Sequence, residues 1–161
     1  MSVSFDNCPD VRLAVPEDFH GVLSLMKTAC AEDAQHPMNE EKVIHMLLRY
    51  YKKQGALLAV IGEVGEPVGY VLSVIDFLWY SDAAQLLELS LFVHPDHRKS
   101  TNAKQLMQFA KQASEGLSLD LTIGVFHNQR TDAKIRLYRR QFGDQIGAYF
   151  CFRPSSAETN I

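Results

Sequence analysis

The sequence predicts a mixed α/β fold, and three observations predict it. Apolar runs of strand length alternate with segments whose apolar residues recur every three to four positions, in the order β-α-α-β-β-β-α-β-α-β. The stretch Leu86–Lys111, LLELSLFVHPDHRKSTNAKQLMQFAK, joins a strand to an amphipathic helix through a Pro-containing turn and a basic-polar loop. A further apolar strand follows that helix, and strands joined by a crossover helix run parallel with right-handed sense. The chain has 161 residues, 47% of them hydrophobic, which suffices for one domain with its own core.

The first ten residues read as a lead-in, and Val11–Val15 alternates as a short strand. Pro16-Glu17-Asp18 opens a helix, since Pro suits a first turn and acids suit the positive end of the helix dipole. Phe19, Val22, Leu23, Leu25 and Met26 form its apolar face, and it runs to about Cys30. Asn39, followed by Glu40-Glu41, caps a second helix with Val43, Ile44, Leu47, Leu48 and Tyr51 on one face, ended by Gly55. Ala56–Glu63 and Val68–Ile75 flank the turn Val64-Gly65-Glu66-Pro67 and read as a hairpin. A connection carrying Trp79-Tyr80 leads to the strand Gln85–Val93. A helix over Asn102–Glu115 follows, with Gly116 as its terminating residue. The remaining elements are a strand over Leu117–Phe126, a helix over Asp132–Phe142 capped by Thr131, and a last strand over Ile146–Phe152. Apolar residues in that last strand, Tyr149 to Phe152, either support a homodimer through a sheet edge or belong to the core.

Charge and composition exclude several function classes. The net charge of −3 does not favour non-specific nucleic-acid binding. The longest apolar runs fall short of a membrane span, and the N-terminus lacks the basic and apolar regions of a signal peptide. Cys8, Cys30 and Cys151 are widely spaced and odd in number, which fits free thiols and a cytoplasmic location better than a disulfide framework. His94, His97 and His127 lie near two strand ends but lack a carboxylate partner, so no metal is expected. A strand that passes through a loop into a helix N-terminus can hold a phosphate, because the first helical N–H groups have no intrahelical partner.

The segment Leu91-Phe92-Val93-His94-Pro95, then Arg98-Lys99-Ser100-Thr101-Asn102-Ala103, resembles the signature of the GNAT superfamily of acyl-CoA-dependent N-acyltransferases. That signature is a strand L-x-V-x-P, a turn Arg/Gln-x-x-Gly-x-Gly/Ala and a helix. Arg98 and Ala103 match it, and Thr101 stands where the first glycine belongs. Asn128, with Tyr138 ten residues later, fits a second family pattern. The resemblance covers about residues 11–152 of a single domain. It implies a mixed, mostly antiparallel sheet with a central parallel strand–helix–strand unit and helices on both faces.

The resemblance also implies a reaction, direct transfer of an acetyl group from acetyl-CoA to a primary amine, without a metal. The acceptor would be a small molecule or a peptide amine. Leu91, Phe92 and Val93 would pair with the pantetheine arm through their backbone, with an amide near Val93 as the oxyanion donor. Arg98, Lys99, Ser100, Thr101, Asn102 and Ala103 would hold the pyrophosphate, with Asn128 completing the coenzyme site. Glycine at the Thr101 position serves close approach and sometimes positive φ, so either Thr101 is already helical or the loop has another shape. A catalytically weak module that binds CoA or a protein partner is the alternative.

Tyr138 is the candidate proton donor to the leaving thiolate, although it also completes an apolar face with Ile135 and Phe142. Glu88 is the candidate base: a carboxylate inside the apolar strand LLELSLFV is costly unless paired or wet. Strict alternation places Glu88, Ser90 and Phe92 on one face and Leu87, Leu89, Leu91 and Val93 on the other. Arg136, Arg139 and Arg140 read as a solvated face, and Trp79-Tyr80 as a wall of the acceptor site or an interface.

Overall fold

In a computed structural model, residues 8–33, 36–125 and 131–148 are described. Among the described residues five strands form one sheet in the order β1-β2-β3-β4-β5: β1 Val11–Leu13, β2 Ala56–Glu63, β3 Glu66–Phe77, β4 Ala84–Val93 and β5 Asp120–Ile123. The first four pair antiparallel, and β4 pairs with β5 in parallel. Among the described residues four α-helices accompany them: α1 Phe19–Asp33, α2 Glu40–Tyr51, α3 Asn102–Leu117 and α4 Thr131–Phe142. Among the described residues no helix is long and apolar enough to cross a membrane.

Each face of the sheet has its own core. On one, α3 sets Leu106, Phe109, Ala110 and Ala113 against Ala59, Ile61, Val71, Leu86 and Val93. On the other, α1 and α2 contribute Val22, Met26 and Leu47 against Leu58, Val60, Tyr70, Leu72 and Phe92. The two-sided burial explains why β2 and β3 read as nearly continuous apolar runs: both faces of a covered sheet are dry. Close approach fixes the seat of α1, where a Cβ on Gly21 would lie 2.4 Å from Pro67 Cδ.

The caps follow the local chemistry. Asn39 accepts from the Lys42 amide at 3.1 Å and starts α2. The Arg139 carbonyl accepts from the Gly143 amide at 3.0 Å where α4 ends, and Gly143 takes φ +91°. The end of α3 departs from expectation. Gly116 lies inside the helix, and Ser118 is the left-handed residue, with φ 55°. Its amide donates to Glu115 and that of Leu119 to Ser114, so the terminal carbonyls are satisfied one turn later. β5 is shorter than expected for the same reason: Leu117 is helical, and Gly124 and Val125 lie beyond the pairing. Residues 146–148 form no strand, and the rest of the expected last strand lies outside the described residues, as do its proposed dimer edge and Cys151.

Candidate active site

Parallel pairing of β4 with β5 runs from Gln85↔Asp120 to Glu88↔Ile123 and stops. β4 continues through residues 89–93, and among the described residues nothing pairs with its outer edge over that length. The His94 amide donates to the Val68 carbonyl at 2.8 Å. Successive residues alternate direction along a strand, so the amides of Phe92 and His94 face β3. Those of Leu91 and Val93 face the open edge. The Val93 carbonyl on that edge is taken by Arg98 Nε at 2.9 Å. An extended ligand arm laid there would meet the Leu91 amide and carbonyl and the Val93 amide, as an added strand would.

A bulge sits at the same place. Pairing with β3 passes from Leu72↔Ser90 to Ser73↔Glu88, leaving Leu89 without a partner. Leu86 therefore packs on the α3 side with Leu91 and Val93, while Phe92 packs on the α1–α2 side. This corrects the expectation of strict alternation, because one inserted residue reverses the faces across it. Glu88 lies where the faces change over. It borders the same cleft as Ser90 and Phe92 for that reason.

The cleft has a volume of about 470 Å³. Met26, Ala29 and Cys30 from α1, Val43 and Met46 from α2, and Tyr70 and Leu72 from β3 make one wall. Phe92 packs with them on that side, and residues 88–91, Gly124, Val125, Lys134 and Tyr138 make the other wall. Tyr138 Oη donates to Glu88 Oε2 at 3.3 Å, bringing the two predicted catalytic residues together from α4 and β4. Glu88 is 8% exposed. Burial pushes its carboxyl up to about 7, against smaller opposing effects of the Tyr138 hydrogen bond and the Lys134 charge. Burial also raises the Tyr138 phenol, and the Glu88 carboxylate adds to the rise. At neutral pH Tyr138 keeps its proton, while Glu88 is poised between its two states.

The loop before α3 is shaped by its own side chains. Ser100 Oγ donates to the His97 carbonyl at 2.6 Å and accepts from the Asn102 amide at 3.2 Å. Thr101 has φ −84° and ψ 0°, an ordinary right-handed conformation, so its β-branch meets no left-handed strain. Its Oγ1 accepts from Gln105 Nε2 at 3.0 Å. Ala103 and Lys104 occupy the first turn of α3, where amides have no intrahelical acceptor. Lys99 and Lys104 are exposed beside them.

Arg98 is held more firmly than its predicted role requires. Besides the Val93 carbonyl, its Nη2 pairs with Glu32 Oε2 at 2.6 Å, and its guanidinium lies 5.1 Å from the centre of the Phe92 ring. It ties the end of α1 to the end of β4. Asn128 and His127 lie outside the described residues. His94 and His97 have ring centres 6.0 Å apart, and His94 Nδ1 accepts from the Asp96 amide at 3.4 Å. Trp79 is 94% exposed and does not line the cleft. Arg136, Arg139 and Arg140 are exposed, and Arg139 pairs with Asp144.

Sequence reading missed the wall formed by Met26, Cys30, Val43, Met46 and Tyr70. Apolar residues at helical spacing signal a buried face, but that spacing does not say whether a strand or a ligand covers it. The mutual bond between Tyr70 Oη and Ser90 Oγ at 2.9 Å was equally hidden, since nothing in the sequence pairs positions twenty apart.

The domain thus combines a mixed sheet with helices on both faces and a hydrogen-bonded carboxyl–phenol pair, Glu88 and Tyr138, lining a cleft beside β4. Residues 52–141 match the model of the acetyltransferase (GNAT) domain, and the chain belongs to that family. A comparison with curated protein sequences gives no match. Among solved structures, an integron cassette protein from the mobile metagenome of Cole Harbour Salt Marsh superposes with TM-score 0.71 at 20% identity, over 96% of this chain and 97% of that one. The ribosomal-protein-alanine N-acetyltransferase of Brucella melitensis biovar Abortus gives TM-score 0.68 at 18% identity, over 89% and 97%. AAC(6')-Iy, solved with a bisubstrate analogue of CoA and acetylneamine, gives 0.68 at 14%, over 90% and 97%. These likenesses establish the shared fold.

Proposed function

We propose that this protein transfers the acetyl group of acetyl-CoA to a primary amine by direct attack, with Glu88 as base and Tyr138 as acid. The contact between Tyr138 Oη and Glu88 Oε2 at 3.3 Å, beside an open strand edge, carries this reading. Family membership adds to it.

The residues fit the coenzyme in three places. The Leu91 amide and carbonyl receive the extended arm. The first turn of α3, with Lys99, Ser100, Thr101, Asn102, Ala103 and Lys104, receives the pyrophosphate. Asn128 completes this site in the family pattern. Arg98 acts by holding the loop against β4.

Acetyl-CoA supplies an activated acyl carbon whose C–S bond breaks as the new C–N bond forms. The ammonium first releases one proton to solvent, the neutral amine attacks, and Glu88 accepts a second proton from the nitrogen as the C–N bond forms. The Val93 amide donates to the carbonyl oxygen as that atom gains charge. Tyr138 gives its proton to the departing sulfur. The Glu88–Tyr138 hydrogen bond then returns the proton from the carboxyl to the phenolate, restoring both groups. Atoms and charge balance: one proton of the ammonium goes to solvent and one leaves with the thiol.

The thiols of Cys8 and Cys30, neither of them in a disulfide, are compatible with a reducing cytoplasmic setting. The test is release of free thiol from acetyl-CoA in the presence of an amine panel. Tyr138→Phe should lower kcat by roughly 10²-fold. Full activity in Tyr138→Phe would remove the acid role. Thermal stabilisation by acetyl-CoA without thiol release on any amine would remove the transfer reaction.

A further inference from the structure

We infer that the acceptor is a primary ammonium carried on an apolar body, not a polycation or a sugar amine. This rests on the acetyl-transfer reading and adds the substrate class to it.

If the coenzyme arm lies on the edge of β4, the wall left for the acceptor is built from Met26, Ala29, Val43, Met46, Leu72 and Phe92. These side chains come from four separate elements, α1, α2, β3 and β4, and none offers a hydrogen bond. Cys30 in the same wall adds only a thiol, a weak donor, and the hydroxyls near it are engaged. Tyr70 Oη and Ser90 Oγ satisfy one another at 2.9 Å, and Tyr70 is 1% exposed. Glu32, at the end of α1, is paired with Arg98 and is not part of the lining. Among the described residues of the lining Glu88 is the one acid, and Lys134 contributes a positive charge to the same wall.

Charge complementarity follows from that count. One carboxylate matches one ammonium. A second or third ammonium on the substrate would face thioethers and aliphatic carbon on one side and Lys134 on the other, and would lose hydration without a partner. The hydroxyls of a sugar would meet the same dry wall. An alkyl or aryl group gains from it by removing its apolar surface from water. Two methionines in the wall adapt their shape to the body they meet, and thioethers pack well against aromatic rings.

The shared chemistry has two sources, a free alkyl- or arylalkylamine and an amino-terminal residue with an apolar side chain. Thiol release would be compared for 2-phenylethylamine, hexylamine, a short peptide beginning with Met-Leu, spermidine and kanamycin. The expected result is kcat/KM at least 10-fold higher for one of the first three than for spermidine or kanamycin, a margin that apolar pockets commonly give. The peptide exceeding both free amines assigns the source to protein N-termini; the reverse assigns it to small amines. Equal or better use of spermidine or kanamycin overturns the inference and leaves the transfer reading intact.

Wall variants give a second readout. Met46→Glu and Val43→Glu each add a carboxylate to α2. Either one that keeps the acetyl-CoA thermal shift should lower kcat/KM for 2-phenylethylamine by 10-fold or more and raise that for spermidine. An unchanged ratio in a folded variant overturns the inference. If no amine releases thiol, the transfer reading fails, and calorimetry on CoA-saturated protein decides the inference alone. Binding of 2-phenylethylamine in preference to spermidine supports it, and binding of neither overturns it.

Discussion

An ionised carboxylate among Leu and Phe side chains is costly to bury, and Glu88 meets this by keeping its proton up to about pH 7. The same shift links catalysis to stability. Between the ordinary carboxyl value of 4.5 and about 7, the folded chain binds more protons at Glu88 than the unfolded chain does. Stability therefore falls as pH rises through that window, and above it the full cost is present. Glu88→Gln keeps an acceptor for Tyr138 but removes the charge. Its Tm should match wild type near pH 4 and exceed it at pH 8, by a free energy of at most about 3 kcal/mol. Thermal unfolding at both pH values checks this; a Tm gain of equal size at pH 4 would point to packing instead. As a base, Glu88 must be unprotonated, so kcat/KM of wild type should rise with pH and level off above about 7. A profile already flat from pH 5.5 would remove Glu88 from the base role.

The strand–loop–helix element shows why part of the site was legible and part was not. Leu91 to Ala103 was readable because a strand end, a Pro turn and a helix start are local signals in sequence. Its departure from the family pattern at Thr101 was readable too, but its consequence was not. Whether glycine is needed depends on one φ angle, and Thr101 takes −84°. Thr101→Gly should therefore bring no gain in acetyl-CoA binding. It should lower stability by about 1 kcal/mol, through unfolded-chain entropy and the lost bond from Gln105. Denaturant titration with and without acetyl-CoA measures both, and tighter binding in the glycine variant would show that the threonine obstructs the ligand. The bulge at Leu89 was not legible. LLELSLFV alternates well enough to hide an inserted residue, and only pairing with β3 exposes it. Gly116 misled for a related reason: glycine can end a helix, but Ser118 does so here because the chain reaches β5 one turn later.

At the scale of the molecule, the cleft needs α1 held against the sheet, and Asp18 is where that hold is concentrated. Its carboxylate is fully buried and receives Arg12 Nη1 at 2.6 Å and Nη2 at 2.9 Å. It also accepts from the Val15 amide at 2.8 Å and the Gly65 amide at 2.9 Å. Arg12 donates in turn to the Gly62 and Glu63 carbonyls. One side chain thus joins β1, the turn that starts α1 and the β2–β3 hairpin. Burial alone would raise the Asp18 carboxyl, but the Arg12 bond and the two amides outweigh it and hold it at about 2. Since 3.8 is the ordinary value, the folded state binds fewer protons here than the unfolded state between these pH values. Asp18 therefore contributes its full stabilisation above about pH 4 and loses it as pH falls toward 2, about 2 kcal/mol in all. Asp18→Asn should cost on the order of 2–4 kcal/mol at pH 7, because the bidentate pair is broken and Arg12 is left without its counter-charge. The deficit should shrink steadily between pH 4 and pH 2, where wild type loses the same charge. Activity of the folded variant at low temperature should change little, since Asp18 lies outside the cleft. Urea titrations at pH 7, 4 and 2.5 read the free energies directly. A deficit that stays constant over that range would mean that shape at this junction, not the ion pair, seats α1 on the sheet.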